Sequence, residues 1–255
     1  MFSPGYDFGY TWFWTRSHVI VCVAFGLLAL LTWRLKWPRW TSALASLIAL
    51  WGLTGAVVVH EVMRANKPLV LPTTAFLPGG RGEVLDMGAG SGRSTLMVLQ
   101  ARPYVRVTAL DIYRGDQFGI GDNTPQRLLA NARVAGVADR VDVKAGDMRQ
   151  MPFGDRSFDA AVSAYAIDHL GQDGVRQSLA EASRVLRPRG QLLLLVVNVD
   201  GWVRLAFPSL HGHGYFSRPQ YRDRWRNALA AAGFDVVEDG TPPTTLYLLA
   251  SRRAD

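Results

Sequence analysis

The chain has 255 residues, a net charge of +7, a 49% share of hydrophobic residues and a single cysteine, Cys22. That length holds one α/β domain with an appendage, or two small domains, and one cysteine excludes an intrachain disulfide framework, a cysteine-based zinc site and a cysteine nucleophile in the globular part. Six basic residues (Arg16, Arg34, Lys36, Arg39, Arg64, Lys67) and two acids (Asp7, Glu61) fall in the first 67 residues, leaving +3 on residues 68–255, a balance that argues against a nucleic-acid partner and for anionic lipid near the N-terminus.

The apolar excess sits at the start. Two uncharged runs, Val19–Trp33 and Ala43–Val59, are each a little shorter than the ~20 residues that a hydrocarbon core requires. Their flanks extend them: Arg34 and Lys36 can snorkel, and Trp12, Trp14, Trp33, Trp37, Trp40 and Trp51 place indoles near interfaces. "RLKWPRW", broken by Pro38, reads as the turn between them. Residues 1–67 are therefore predicted to form a helical hairpin embedded in a membrane. A cleavable signal peptide has one apolar core and a small-residue cleavage site; this segment has two cores and a Trp-rich start. Basic residues flank both ends, so the positive-inside rule gives no orientation, and a monotopic hairpin and a double span both remain open. Residues 68–82, with Pro68, Pro72, Pro78 and the Gly79–Gly80 pair, read as a linker.

From residue 83 on, strands alternate with helices. Strands are predicted at 83–87, 106–110, 141–144, 158–163, 191–197, 234–238 and 245–250. Helices are predicted at 92–100, after a cap at Asn123 or Thr124 with Pro125 in the first turn, at 174–186, and at 217–232 with Ser217 as cap. "QLLLLVV" is apolar on both faces, as a central strand is. The alternation predicts a doubly wound, mostly parallel sheet, whose ligands bind at the carboxyl ends of its strands.

At the end of the first strand lies "VLDMGAGSGRST", with Gly88, Gly90 and Gly92 at alternate positions. Bare backbone there permits a tight turn and a close ligand. A P-loop needs Gly-Lys-Ser/Thr, and here Arg93 follows Gly92 after too short a spacing. A dinucleotide fingerprint needs its third glycine one residue later, where Arg93 stands.

"VLDMGAGSG" resembles the first motif of the class I S-adenosylmethionine-dependent methyltransferases. "VTALDIY", "AGDMRQMPFGDRSFDAAVSAYAIDHL", "EASRVLRPRGQLLLL" and "AGFDVVE" resemble four further stretches of that family, in its order and spacing, over roughly residues 81–251. The pattern looks closest to the branch that methylates quinones, lipids and other small molecules. The resemblance implies a Rossmann-like seven-stranded sheet and S-adenosylmethionine as cofactor. It implies that Gly88, Ala89, Gly90 and Gly92 wrap the methionine part and that Asp86 holds its ammonium, directly or through water. It further implies that Asp111 accepts the ribose hydroxyls and Ile112 packs on the adenine, that Asp147 accepts from the adenine amino group with Gly146 and Met148 shaping the slot, and that Tyr165 and Ala166 lie near the methyl group.

Candidates for a base or other catalytic group are Tyr165, Asp168 and His169 in "YAIDHL", and His211, His213 and Tyr215 in "HGHGYF". The family often has histidine where this chain has Asp168. Two histidines without a third ligand do not read as a metal site, and none is expected. "SAYA" follows the fourth strand where DNA amino-methyltransferases carry an Asp/Asn-Pro-Pro-aromatic motif, so no nucleic-acid partner is expected. The apolar stretch 198–216 suits a hydrophobic acceptor or contact with lipid. The expectation is a membrane-bound methyltransferase, its catalytic domain facing the cytoplasm, acting on an apolar or amphipathic small molecule. The rivals are a cofactor-binding scaffold without transfer activity and a nicotinamide-dependent reductase.

Overall fold

The computed structural model describes residues 5–114, 121, 123–208 and 221–254. Seven strands form one sheet: β1 (Arg81–Met87), β2 (Tyr104–Asp111), β3 (Val141–Ala145), β4 (Phe158–Ala164), β5 (Leu186–Val197), β6 (Phe234–Gly240) and β7 (Thr245–Arg252). Their spatial order is β3-β2-β1-β4-β5-β7-β6. Strands β1 to β5 run parallel, and β7 runs antiparallel to β5 and β6. This is the expected doubly wound, Rossmann-like sheet. Its order reverses between β1 and β4, which opens a crevice at the carboxyl ends of those strands.

Alternation along the strands divides the core between two faces. Leu85 and Met87 of β1 pack with Leu179 of α5 (Gln172–Val185) and Trp225 of α7 (Tyr221–Ala231). Val84 points the other way, into a cluster with Leu96 and Leu99 of α3 (Arg93–Ala101). The next helix, α4 (Pro125–Val134), starts at Thr124, whose hydroxyl accepts from Arg127 N, with proline in its first turn. The expected start of α7 at Ser217 lies outside the described residues. Strand β5 begins earlier than predicted and runs through Pro188, beside the register shift between Phe158 and Ala160 where β4 leaves a break in the ladder.

The N-terminal hairpin is α1 (Trp12–Arg34) and α2 (Arg39–Val57), the latter continued by a π-helical turn, Val58–Val62. Both helices are long and apolar enough to cross a membrane. The 23 residues of α1 rise ~35 Å at helical pitch, against ~30 Å for a hydrocarbon core. The helices meet through small residues. A Cβ on Gly52 would lie 2.6 Å from Cys22 N, and one on Gly55 would enter the His18 ring. Thr32 and Ser42 share a hydrogen bond of 2.8 Å near the turn. Trp33, Trp37 and Trp40 stand exposed at the turn, and Trp12 and Phe13 at the opposite end.

Two segments differ from the sequence-based division. The arm before α1 belongs to the sheet domain and not to the hairpin. Phe8 is 2% exposed and sits in the same cluster as Val84, Leu96 and Phe76. The arm's backbone is paired as well: Asp7 N donates to Asn131 Oδ1 and Asn131 Nδ2 donates to Asp7 O. The predicted linker is a strap across the sheet. Phe76 is wholly buried, Leu77 N donates to Gln191 Oε1, Gln191 Nε2 donates to Ala75 O, and Arg102 binds the carbonyls of Thr74 and Phe76. Prolines removed the strap's helical and strand signals but did not keep its apolar residues out of the core. Because Phe8 fills core volume, Phe8→Ala should cost about 3–5 kcal/mol, seen as a lower denaturation midpoint of the full-length protein. An unchanged midpoint would place the arm outside the core.

Candidate cofactor and acceptor site

The crevice is built on the glycine loop. Gly88, Gly90 and Gly92 have φ of +80°, +52° and +93°, a region that costs an L-residue about 1–2 kcal/mol. Gly88 and Ala89 both donate to Leu110 O at the end of β2. A Cβ on Gly88 would sit 2.4 Å from Ala166 Cβ and 2.8 Å from Met148 Cε, whereas one on Gly90 would meet nothing within 4 Å. Gly88 is thus where the loop touches its neighbours, and Gly90 faces open space.

Asp111 closes this arrangement. Its Oδ2 accepts from Gly90 N at 2.9 Å, and its Oδ1 accepts from Tyr113 N and Asn123 Nδ2 at 2.9 and 3.0 Å. A carboxylate has about four acceptor sites, so one more donor fits without rearrangement. Taking both hydroxyls of a diol requires one present donor to yield, and the Asn123 side chain is the one free to rotate. Ile112, 39% exposed beside it, offers an apolar face.

Several predicted residues stand differently from expectation. Asp86 is wholly buried. Its oxygens accept from the Ser94 and Thr95 hydroxyls at 2.6–3.0 Å, and burial pushes its carboxyl up to about 6. It cannot touch a ligand directly and instead anchors the first turn of α3 beneath the loop. Asp147 is clasped by Arg149, which donates through Nε, Nη2 and its backbone N–H. Those hydrogen bonds hold its carboxyl below the usual range, and it does not stand free toward the crevice. Tyr165 has φ of +53° and its hydroxyl pairs with Thr245 Oγ1 at 2.5 Å, so its ring reaches toward β7. Gly146 N donates to Asp111 O, and a Cβ there would strike Leu110.

Asp168 and His169 lie in a short 3-10 turn after β4. Asp168 is 2% exposed; Oδ2 accepts from Val197 N, and Oδ1 has no partner. Burial raises its pKa and lowers that of His169, so the imidazole is held neutral. His211, His213 and Tyr215 lie outside the described residues. Among the described residues no cluster of three or more metal-ligating side chains occurs.

The rim carries buried polar atoms without partners: Ser91 Oγ in the loop, Tyr113 Oη and Asn123 Oδ1 beyond β2, and Asp168 Oδ1 beyond β4. Burying such atoms unpaired costs about 1–3 kcal/mol each. Their convergence on the carboxyl edge fits a polar ligand rich in donors and acceptors. Sequence reasoning missed Tyr113 and Ser91. It weighed Asn123 only as a helix cap, a role that Thr124 fills.

A seven-stranded sheet of this order with β7 antiparallel, a glycine loop after β1 and an acid at the end of β2 define the class I methyltransferase fold. Residues 84–190 match the family described as a methyltransferase domain, and the cofactor that this match implies is S-adenosylmethionine. The chain is 37% identical over 126 residues to a "Ubiquinone/menaquinone biosynthesis C-methyltransferase UbiE" of Methylobacterium nodulans, covering 48% of this chain and 46% of that protein. A Bartonella tribocorum protein of the same description is 33% identical over 114 residues, 44% of this chain and 40% of its own length. The chain thus spans less than half the length of these relatives. Among solved structures, a Methanosarcina mazei S-adenosylmethionine-dependent methyltransferase superposes with a TM-score of 0.56 at 18% identity, covering 73% of this chain and all of that one.

Asp86 makes the site's pH behaviour testable. Its pKa rises from 3.8 in the unfolded chain to about 6 in the fold. The unfolded chain therefore binds fewer protons between those values, and stability falls as pH rises through that window and levels off above it. In denaturant titrations of cofactor-free protein from pH 4 to 7, Asp86→Asn should flatten this slope, leaving the share of the same sign that buried Asp168 contributes. Parallel profiles for variant and wild type would mean that another group titrates there.

Proposed function

We propose that the chain is a membrane-anchored methyltransferase that moves a methyl group from S-adenosylmethionine to an apolar or amphipathic small molecule, of lipid or quinone type. One observation carries the acceptor class. The segment that leaves β5 on the crevice side is joined to the apolar hairpin. Within it, α6 (Gly201–Ala206) is capped by Asp200, which also holds Thr244 N. The last carbonyls of α6 are bound by hairpin side chains: Trp51 Nε1 donates to Leu205 O at 2.7 Å and His18 Nε2 to Ala206 O at 2.8 Å. Phe207 packs on Trp14 and His18, while Trp202 and Leu205 stand nearly half exposed beside the apolar helices. An acceptor dissolved in the bilayer would meet the site at this seam. The activity named for the ubiquinone/menaquinone C-methyltransferase relatives supports such an acceptor. The hairpin crosses the bilayer and returns, its tryptophans at both interfaces, with the sheet domain on the cytoplasmic side.

Bound at the glycine loop, S-adenosylmethionine supplies an electrophilic methyl on a sulfonium that leaves as a neutral thioether. The chain's own task is alignment and exclusion of water. Gly90 admits the ligand close to the backbone, Asp111 and Asn123 take its diol, and Ile112 covers its base. Where the acceptor must lose a proton, His169 takes it, because burial keeps the imidazole neutral at neutral pH.

The test is transfer of labelled methyl from S-adenosylmethionine by the full-length protein to a total lipid extract, with products split between organic and aqueous phases. Label should enter the organic phase. Asp111→Ala should abolish cofactor binding, and His169→Ala should lower turnover by ~10²–10⁴-fold with binding retained. The acid limb of wild-type turnover should lie below the ordinary imidazole pKa, the direction of the His169 shift. Cofactor bound but no label in either phase would favour a scaffold instead.

A further inference from the structure

Arg93 is the first residue of α3, directly after Gly92. Its side chain leaves the loop and reaches the point where the hairpin ends. Nη2 donates to Met63 O and Arg64 O, both at 2.9 Å, Nε donates to Lys67 O at 3.1 Å, and Nη1 donates to Tyr10 Oη at 2.8 Å. The guanidinium also lies over the rings of Phe8 and Tyr10, at 5.8 and 5.6 Å. Met63 and Arg64 follow the π-helical turn, and Arg64 has φ of +53°. The Met63 carbonyl is an orphan acceptor of a helix end, the Arg64 carbonyl takes Arg93 in addition to Lys67 N, and a cation there is also favoured by the helix dipole. One residue thus caps the hairpin's exit and begins the helix that fixes the glycine loop. The fork geometry of a guanidinium permits this, and a point-like ammonium cannot satisfy the same set.

We infer that Arg93 is a positioning residue that couples the seating of the hairpin to cofactor affinity. This rests on the reading that the glycine loop holds S-adenosylmethionine. With the exit in place, Arg93 is pulled away from the crevice and the first turn of α3 is held against Asp86. With the exit displaced, the three hydrogen bonds to Met63, Arg64 and Lys67 are lost and the loop loses its tether. Coupling between two sites is reciprocal, so the cofactor must in turn hold the exit in place.

The experiment uses the full-length protein in phosphatidylcholine–phosphatidylglycerol nanodiscs. S-adenosylmethionine affinity is measured by calorimetry. Trypsin cleavage after Arg64 is followed by mass spectrometry with and without saturating S-adenosylmethionine, and cleavage after Arg253 serves as the reference. Saturation should slow the Arg64 cut by about fivefold or more and leave the Arg253 cut unchanged. Arg93→Gln should weaken S-adenosylmethionine binding by a similar factor and, once saturated, show no protection at Arg64. Arg93→Lys should fall between. Wild type that binds the cofactor without protecting Arg64 overturns the coupling, and that measurement needs no variant to fold. So does Arg93→Gln with wild-type affinity. Wild type that binds no S-adenosylmethionine overturns the cofactor reading itself, a separate and visible failure.

Discussion

The carboxylate of Asp111 is the constraint on which the site depends. It sits at the end of β2, receives the Gly90 amide from the β1 loop, and holds Tyr113 N and the Asn123 amide from the chain leading into α4. Its backbone carbonyl accepts from Gly146 N at the end of β3. Three strand ends are therefore locked to one residue. Hydrogen bonds to a carboxylate are stronger than those between neutral groups, so the loop is held in place although its three glycines carry no side chains to fix it. The same carboxylate keeps about one acceptor site unused, so the group that organises the crevice also offers an acceptor toward it.

Asp86 shows the opposite use of a carboxylate. It lies on the α3 face of β1, two residues before the loop, and spends its oxygens on Ser94 and Thr95. A buried charge is costly unless it is hydrogen-bonded, and here the hydroxyls offset only part of the desolvation, as the raised pKa records. The first turn of α3 is thereby fixed from beneath by Asp86 and from outside by Arg93.

Much of the sheet domain was legible because its signals are local. Alternating apolar strands, Pro125 at a helix start, the three glycines and the acid after the second strand each have a short-range cause. What was not legible depends on distant partners. Phe8 and Tyr10 lie in a Trp- and Tyr-rich arm that reads as a membrane entry, and distant partners, Asn131 for Asp7 and Arg93 for Tyr10, draw them onto the sheet domain. Asp147 has the position of a ligand-binding acid, yet an arginine two residues on takes it. Tyr113 gives no sequence signal, since its role rests on a positive φ and on a buried hydroxyl without a partner.

The hairpin's polar groups decide how separable it is from the rest of the chain. His18, Trp51 and His60 sit in otherwise apolar helices, where an unpaired polar atom is expensive in an apolar surrounding. Two of the three find their acceptors in the sheet domain: His18 on Ala206 O and Trp51 on Leu205 O. His60 binds Thr15 O and so ties the exit of the hairpin to its entry. The domain depends on the hairpin in return, through Arg93 and through the carbonyl ends of α6. A detachable anchor would show a polar, solvated joint with few contacts. This joint is closed by charge-assisted and indole hydrogen bonds on both sides of the crevice, at the glycine loop and at the β5 end. Removing residues 1–67 would therefore also remove Phe8 from the core and leave Asn131 and Arg93 with broken sets of partners. The hairpin is therefore packed as part of one unit with the sheet domain, joined to it beside the glycine loop and again at the carbonyl end of α6.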